Sequence, residues 1–387
     1  MRIDAEAWGR ARDWKHGDPR PDRAAGALLG AAAAACMVGA PAAMAAGLRR
    51  PDGRGDGAAR LGWLITTALT GVDDPHVAAS AVGPGPERAW VSALSRTVAE
   101  GAVPPPGPAA RGAAATAWRA VADTPAPRSD PARGAFACSQ LVEAVRAAHA
   151  AGGDEAAMHA GALAGARWGA SGVPLRVQRQ LSETVAPRRL VTDALVAARG
   201  SDTDAWPQCA TLSRAAHDPG HEAFAVAHPY DPGVLLCNLE YVRTCTDAEA
   251  VVSLCRMGGE DLPPHLPGRD VVEVWLTDSP GANPNLHFVL DEAARAVAAL
   301  RAEGKRVLLH CAACQSRTPA VAAHYAALAC GAEVLDALRG VIRAVGGHLN
   351  NAELARAAAA LNGVALEDPA ATLFPDGMPE VTRTSWG

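Results

Sequence analysis

Lys305–Cys330 reads KRVLLHCAACQSRTPAVAAHYAALAC, and the order of residue types in this stretch decides the fold of the second half of the chain. Arg306–His310 (RVLLH) is a short apolar run, the pattern of a strand covered on both faces. Thr318–Cys330 carries apolar residues at helical spacing. Between them lies only the loop from Cys311 to Arg317. A loop that turns directly into a helix points backbone N–H groups inward, and the helix dipole adds partial positive charge there. Such a cradle favours a thiolate at Cys311 and a phosphate dianion above it, held by the loop residues Ala312, Ala313, Cys314, Gln315 and Ser316. Arg317, in the first helical turn, can grip two phosphate oxygens in a fork. The Thr318 hydroxyl can donate to the sulfur. His310 reads as an orienting residue for the Cys311 backbone.

Outward from this loop, strands and helices alternate. Val234–Cys237, Ala250–Cys255 and Val271–Leu276 read as strands; Leu286–Ala302, Val334–Ala344 and Asn351–Leu361 read as helices. That order implies a mostly parallel sheet flanked by helices. A covalent cysteinyl-phosphate route also needs a proton for the departing alcohol. Asp278 is the candidate: it ends the strand VVEVWLTD, 33 residues before Cys311. Neighbouring parallel strands bring their C-terminal ends together, so the two side chains can meet there. Cys237, Cys255 and Cys330 read as small core residues.

From about Val234 to Gly363 the sequence resembles the dual-specificity, protein-tyrosine-phosphatase family. The family's His-Cys, five residues, Arg, Ser/Thr signature falls on His310, Cys311, Arg317 and Thr318, and its general-acid loop on Asp278, with Asn283 or Asn285 as the polar residue that fixes the loop. The resemblance implies hydrolysis of a phosphomonoester without metal or cofactor. One position departs from the pattern: where the family has Gly three residues after the Cys, this chain has Cys314. If the backbone there needs a positive φ, a non-Gly residue costs about 1–2 kcal/mol. Cys311 and Cys314 also form a Cys-x-x-Cys pair at a helix start, a spacing used in redox chemistry.

The first half reads as helical throughout, with apolar residues at helix spacing over Arg23–Ala46, Val77–Ala99, Ala113–Ala122, Ser139–Ala151, Glu155–Trp168 and Pro174–Ser182. DRAAGALLGAAAAACMVGAP (22–41) and GGDEAAMHAGALAGARWGASGVP (152–174) resemble the opening and closing stretches of the ADP-ribosylglycohydrolase family, an all-helical fold that holds two magnesium ions on carboxylates and Thr. Most of those ligands are absent here. The nearest stand-in for a Thr-Asp-Asp-Thr run is Leu64-Ile65-Thr66-Thr67, and Ala156 and Ala157 follow Asp154 where a further Asp and Thr belong. A lone vestigial Asp154 cannot hold a metal pair, so this half is expected to be inactive and to bind, at most, an ADP-ribose-containing ligand.

With 387 residues the chain is too long for one ordinary core. The expectation is two domains, 20–195 and 225–365, within a multidomain α and α/β chain. Ala102–Arg111 (AVPPPGPAAR) and Gly200–Tyr230 read as connectors. A net charge of −5 argues against a nucleic-acid partner. Ala24–Ala46 is long enough to span a membrane but lacks bulky apolar residues and contains Pro41, so a buried helix is expected, with no membrane contact. Nine scattered cysteines and a charged, Pro-broken start point to free thiols in a reducing cytoplasm. The function expected is metal-independent phosphomonoester hydrolysis on a phosphorylated substrate. The alternatives are a binding module for phosphate or ADP-ribose without catalysis, and a thiol redox protein using Cys311 and Cys314.

Overall fold

The computed structural model describes residues 17–48, 57–107, 111–199, 222–257 and 261–379. The chain divides into two compact units. The first is Met1–Arg128 with Ala137–Trp206; the second is Ser129–Phe136 with Pro207–Gly387. The short excursion Ser129–Phe136 was not foreseen from the sequence, because nothing in its composition marks a crossing. The expected second connector lies mostly outside the described residues; Ala102–Gly107 has no regular structure.

The first unit is helical throughout its described residues. Its centre is α1 (Arg20–Met37), in which Ala24 to Ala35 are buried on every face. A helix apolar all round belongs inside a core. It packs on α7 (Gln140–Trp168), and the small residues explain how closely. A Cβ added at Gly26 or Gly165 would overlap the other's backbone carbonyl, and Gly30 and Gly161 oppose each other in the same way. The expected helix Arg23–Ala46 is in fact two, α1 and α2 (Pro41–Leu48). Gly39, at φ +81°, ends the first, and Pro41 starts the second. The expected helix Val77–Ala99 is likewise divided into α4 (Pro75–Ala81) and α5 (Pro86–Glu100), with Gly83 and Gly85 at positive φ around Pro84. The long α7 kinks at Gly153. Three further helices are α6 (Gly112–Asp123), α8 (Leu175–Leu181) and, unforeseen from the sequence, α9 (Pro187–Arg199). The helix α3 (Gly57–Thr70) was also unforeseen. Among the described residues no helix is long and apolar enough to cross a membrane.

The second unit is mixed α/β, built on a five-stranded, mostly parallel sheet. Its strands are β1 (Ala225–His228), β2 (Asp231–Cys237), β3 (Ala250–Ser253), β4 (Val271–Glu273) and β5 (Val307–His310), in the order β1-β2-β5-β3-β4. Only the β1–β2 hairpin is antiparallel. β1 escaped the sequence reading because it is four residues long, with only His228 buried. The centre of the sheet is β5, buried along its whole length. The helices are α10 (Leu239–Thr244), α11 (Leu286–Ala302), α12 (Arg317–Cys330), α13 (Val334–Val345), α14 (Ala352–Leu361) and α15 (Pro369–Leu373). Cys237 and Cys255 lie in the apolar core with Leu239, Val242, Val251 and Leu308. Cys330 corrects the expectation of a core residue: it ends α12 and is exposed, because the Gly331 cap turns the chain outward there.

Candidate active site

The site forms where β2, β3 and β5 end together. In the parallel registers Cys237 and Ser253 flank His310 on either side, so the chain emerges at Cys311 from the middle of the sheet edge. Three carbonyls here are tied to neighbouring elements: His310 O accepts from Leu254 N–H at 2.7 Å, Ala312 O from Leu239 N–H at 3.1 Å, and Gln315 O from His348 N–H at 3.2 Å. In a trans peptide the following N–H points the opposite way, so the amides of Cys311, Ala313 and Ser316 point away from those three partners. Cys314 sits at φ +59°, the only described non-Gly residue with positive φ. It is fully buried and supplies a left-handed turn within the loop.

Ser316 precedes α12 but makes no side-chain cap. Its hydroxyl donates instead to Asp278 Oδ1 at 2.9 Å. Asn351 Nδ2, from the start of α14, donates to the same oxygen at 3.1 Å. Arg317 is buried at 4% exposure, which fixes its side chain rather than leaving it to wander in solvent. Its Nη1 donates to Leu254 O at 2.7 Å and Leu276 O at 3.2 Å, at the ends of β3 and of the segment after β4. Its Nε lies 3.6 Å from Asp278 Oδ2. Thr318 is buried, and its hydroxyl has no hydrogen-bond partner. Asp278, Ser316 and Arg317 thus come together from positions nearly forty residues apart.

His310 is held between two partners. Its Nδ1 faces Cys311 O at 3.3 Å and its Nε2 faces Ser253 Oγ at 2.7 Å. A carbonyl can only accept, so Nδ1 carries the hydrogen and Nε2 accepts from the Ser253 hydroxyl. Burial, with the Arg317 charge adding to it, pushes the imidazole down to about 4. A ring neutral at pH 7 fits a fixed strut and not a proton shuttle. Burial pushes the Cys255 thiol up to about 12, and Cys237 is raised well above its ordinary value by burial and by the neighbouring thiols. These two flanking cysteines are therefore poor nucleophiles. All eight described cysteines are thiols.

Of the two asparagines expected near Asp278, Asn283 bridges back to Thr277, accepting from Thr277 N–H and donating to Thr277 O, both at 2.8 Å. Asn285 instead starts α11 and makes no side-chain cap. The sequence reading missed Ser253, Asn351 and Glu353. Ser253 could have been found as the polar residue ending an otherwise apolar strand; the α14 residues had no local signal.

In the first unit, Thr66 and Thr67 both donate within their own helix, to Gly62 O and Trp63 O. Asp154 is exposed and lies 3.0 Å from His149. Among the described residues no group of three or more His, Cys, Asp or Glu side chains is arranged to hold a metal ion. Compared with protein-family models, curated proteins and solved structures, the chain finds no match in any of the three.

Proposed function

We propose that the second unit hydrolyses phosphomonoesters through a cysteinyl-phosphate intermediate, in the manner of the dual-specificity, protein-tyrosine-phosphatase family that its sequence resembles. The observation that carries this reading is the meeting of Asp278 with Ser316 and Arg317 at the mouth of the Cys311 loop. An acid and a buried guanidinium meet beside the strand ends from which the Cys311 loop emerges.

In the first step the Cys311 thiolate attacks phosphorus, forming the S–P bond as the P–O bond to the leaving group breaks. The proton for the departing oxygen comes from Asp278. The loop amides and Arg317 neutralise the charge on the phosphoryl oxygens, which is where such sites gain most of their rate. In the second step a water attacks phosphorus, Asp278 takes its proton, and the S–P bond breaks to release phosphate and thiolate. The buried Thr318 hydroxyl is available to donate to that departing sulfur. The first unit is read as an inactive ADP-ribosylglycohydrolase-like helical domain, since its remaining carboxylates cannot hold a magnesium pair.

The test is turnover of an aryl phosphate in the presence of a chelator. Wild type should turn over, and Cys311→Ser should lose activity by roughly three orders of magnitude or more while still binding inorganic phosphate. Substantial activity surviving in Cys311→Ser would sink the mechanism. An inactive wild type that binds phosphate would favour the binding-module reading, for which the strained Cys314 backbone is the supporting feature.

A further inference from the structure

The acid loop is held at two points by one helix. Asn351, which precedes α14, donates from Nδ2 to Asp278 Oδ1 at 3.1 Å. Glu353, in the first turn of α14, accepts from Gly281 N–H at 2.8 Å through Oε2. The segment between those contacts is short and turn-rich, and Asn283 ties its far end back to Thr277. Beside Ser316, three side chains hold the loop, and two of them come from the start of α14, more than seventy residues further along the chain. Asn351 is 6% exposed, and its other polar atom, Oδ1, has no partner. A buried Asn that holds its amide toward a carboxylate while its own oxygen goes unpaired bears a desolvation cost that packing alone does not explain. Asn351 also lines a small cleft with Ser316, His348 and Leu354, so it borders the same loop residue that donates to Asp278.

We propose that Asn351 and Glu353 are positioning residues for the general acid: α14 clamps the Asp278 loop over Cys311 and aims the carboxyl at the leaving-group oxygen. This rests on the phosphatase reading above. The clamp divides the work with Ser316. Ser316 belongs to the phosphate loop and tracks the anion, whereas α14 fixes the acid loop from the outside. Proton delivery then depends on the clamp, and the S–P bond-forming step depends on it only as far as the leaving group needs that proton. The consequence is a dependence on leaving group. An ester whose alcohol leaves readily as an anion needs little protonation, whereas one with a poor leaving group needs the acid fully in place.

The experiment compares p-nitrophenyl phosphate with phenyl phosphate in the full-length chain, using wild type, Asn351→Leu, Asn351→Asp, Glu353→Ala and Glu353→Gln. In both Asn351 variants kcat/KM, which reports only the steps through departure of the leaving group, should fall by about tenfold or more on phenyl phosphate, with less than about a twofold change on p-nitrophenyl phosphate. Asn351→Asp keeps the shape and removes the donor, so it guards against a fold defect in Asn351→Leu. Glu353→Ala should show the same selective loss to a smaller degree, and Glu353→Gln, which retains an acceptor for Gly281 N–H, should recover it. An equal loss on both esters in both Asn351 variants would overturn the clamp and leave the phosphatase reading standing. A wild type that hydrolyses neither ester would overturn both.

Discussion

The two units treat their buried polar groups in opposite ways. In the helical unit such groups are used up by structure. Asp22, buried in α1, accepts from Ser171 N–H at 2.9 Å and Ser171 Oγ at 2.6 Å. Gln140 donates to Val121 O and Thr124 O, and its carbonyl accepts from Arg167 and Trp168. In the sheet unit, the unpartnered buried atoms gather at one place: Thr318 Oγ1, Gln315 Oε1 and Asn351 Oδ1 all surround the Cys311 loop. A core that satisfies its polar atoms is built for stability. One that leaves them open around the Cys311 loop bears a desolvation cost there. The Trp90 indole N–H is an exception in the helical unit.

Proton linkage offers the largest test of this contrast. Burial raises Asp22 from 3.8 to about 6, so between those values the native state binds the proton more tightly than the unfolded chain. Stability from this group therefore falls as pH rises through that window, by about 3 kcal/mol in all. His310 is lowered from 6.5 to about 4, so there the unfolded chain binds the proton more tightly. Its contribution runs the other way, with about 3 kcal/mol lost on acidification across that window. Urea unfolding from pH 4 to 7 should show Asp22→Asn flattening the first dependence and His310→Asn flattening the second. Two variants with the same pH trend would break the comparison.

Glycine substitutions give a smaller effect of opposite sign in the two units. Gly165→Ala forces a methyl group onto the Gly26 carbonyl between α1 and α7 and should destabilise by about 2 kcal/mol. Gly340→Ala in α13 meets only the Tyr230 ring and hydroxyl at ordinary contact distance. It should stabilise by about 0.5–1 kcal/mol through helix propensity. Thermal melts of the two variants decide the point. The smallest effect belongs to the loop itself. Cys314→Gly relieves a positive φ worth about 1–2 kcal/mol but adds the backbone entropy cost of Gly, about 0.5–1 kcal/mol, and gives up a buried thiol, so stability should change by less than about 0.5 kcal/mol, without loss of aryl phosphate turnover. A destabilised or inactive Cys314→Gly would mean that the thiol itself is needed there.

The sheet's parallel strands were legible because Val and Leu runs bounded by turns have few other readings, and α11 has the bounds its periodicity indicated. The helix breaks at Gly39 and Gly83 were written in the sequence but overridden by the surrounding Ala pattern. The missed helices had other causes: α9 sat beside an expected linker, and α3 carries the weak helix formers Thr66 and Thr67 at its centre and Gly57 and Gly62 before them. Within the site, the Cys311 loop was local and so could be read. The Asp278–Asn351 contact joins residues 73 apart, and nothing in either neighbourhood encodes the other.

The excursion at Ser129–Phe136 bears on how this chain can be cut. Phe136 packs edge-on against Phe288 of α11 at 5.5 Å, and the turn at Pro131–Arg133 adjoins α14, the helix that carries Glu353. A fragment beginning after α9 keeps every strand of the sheet yet leaves behind part of the support for the loop that carries Asp278. The two units are therefore not interchangeable cassettes: the gene segment for the sheet half does not encode the whole of its folding unit.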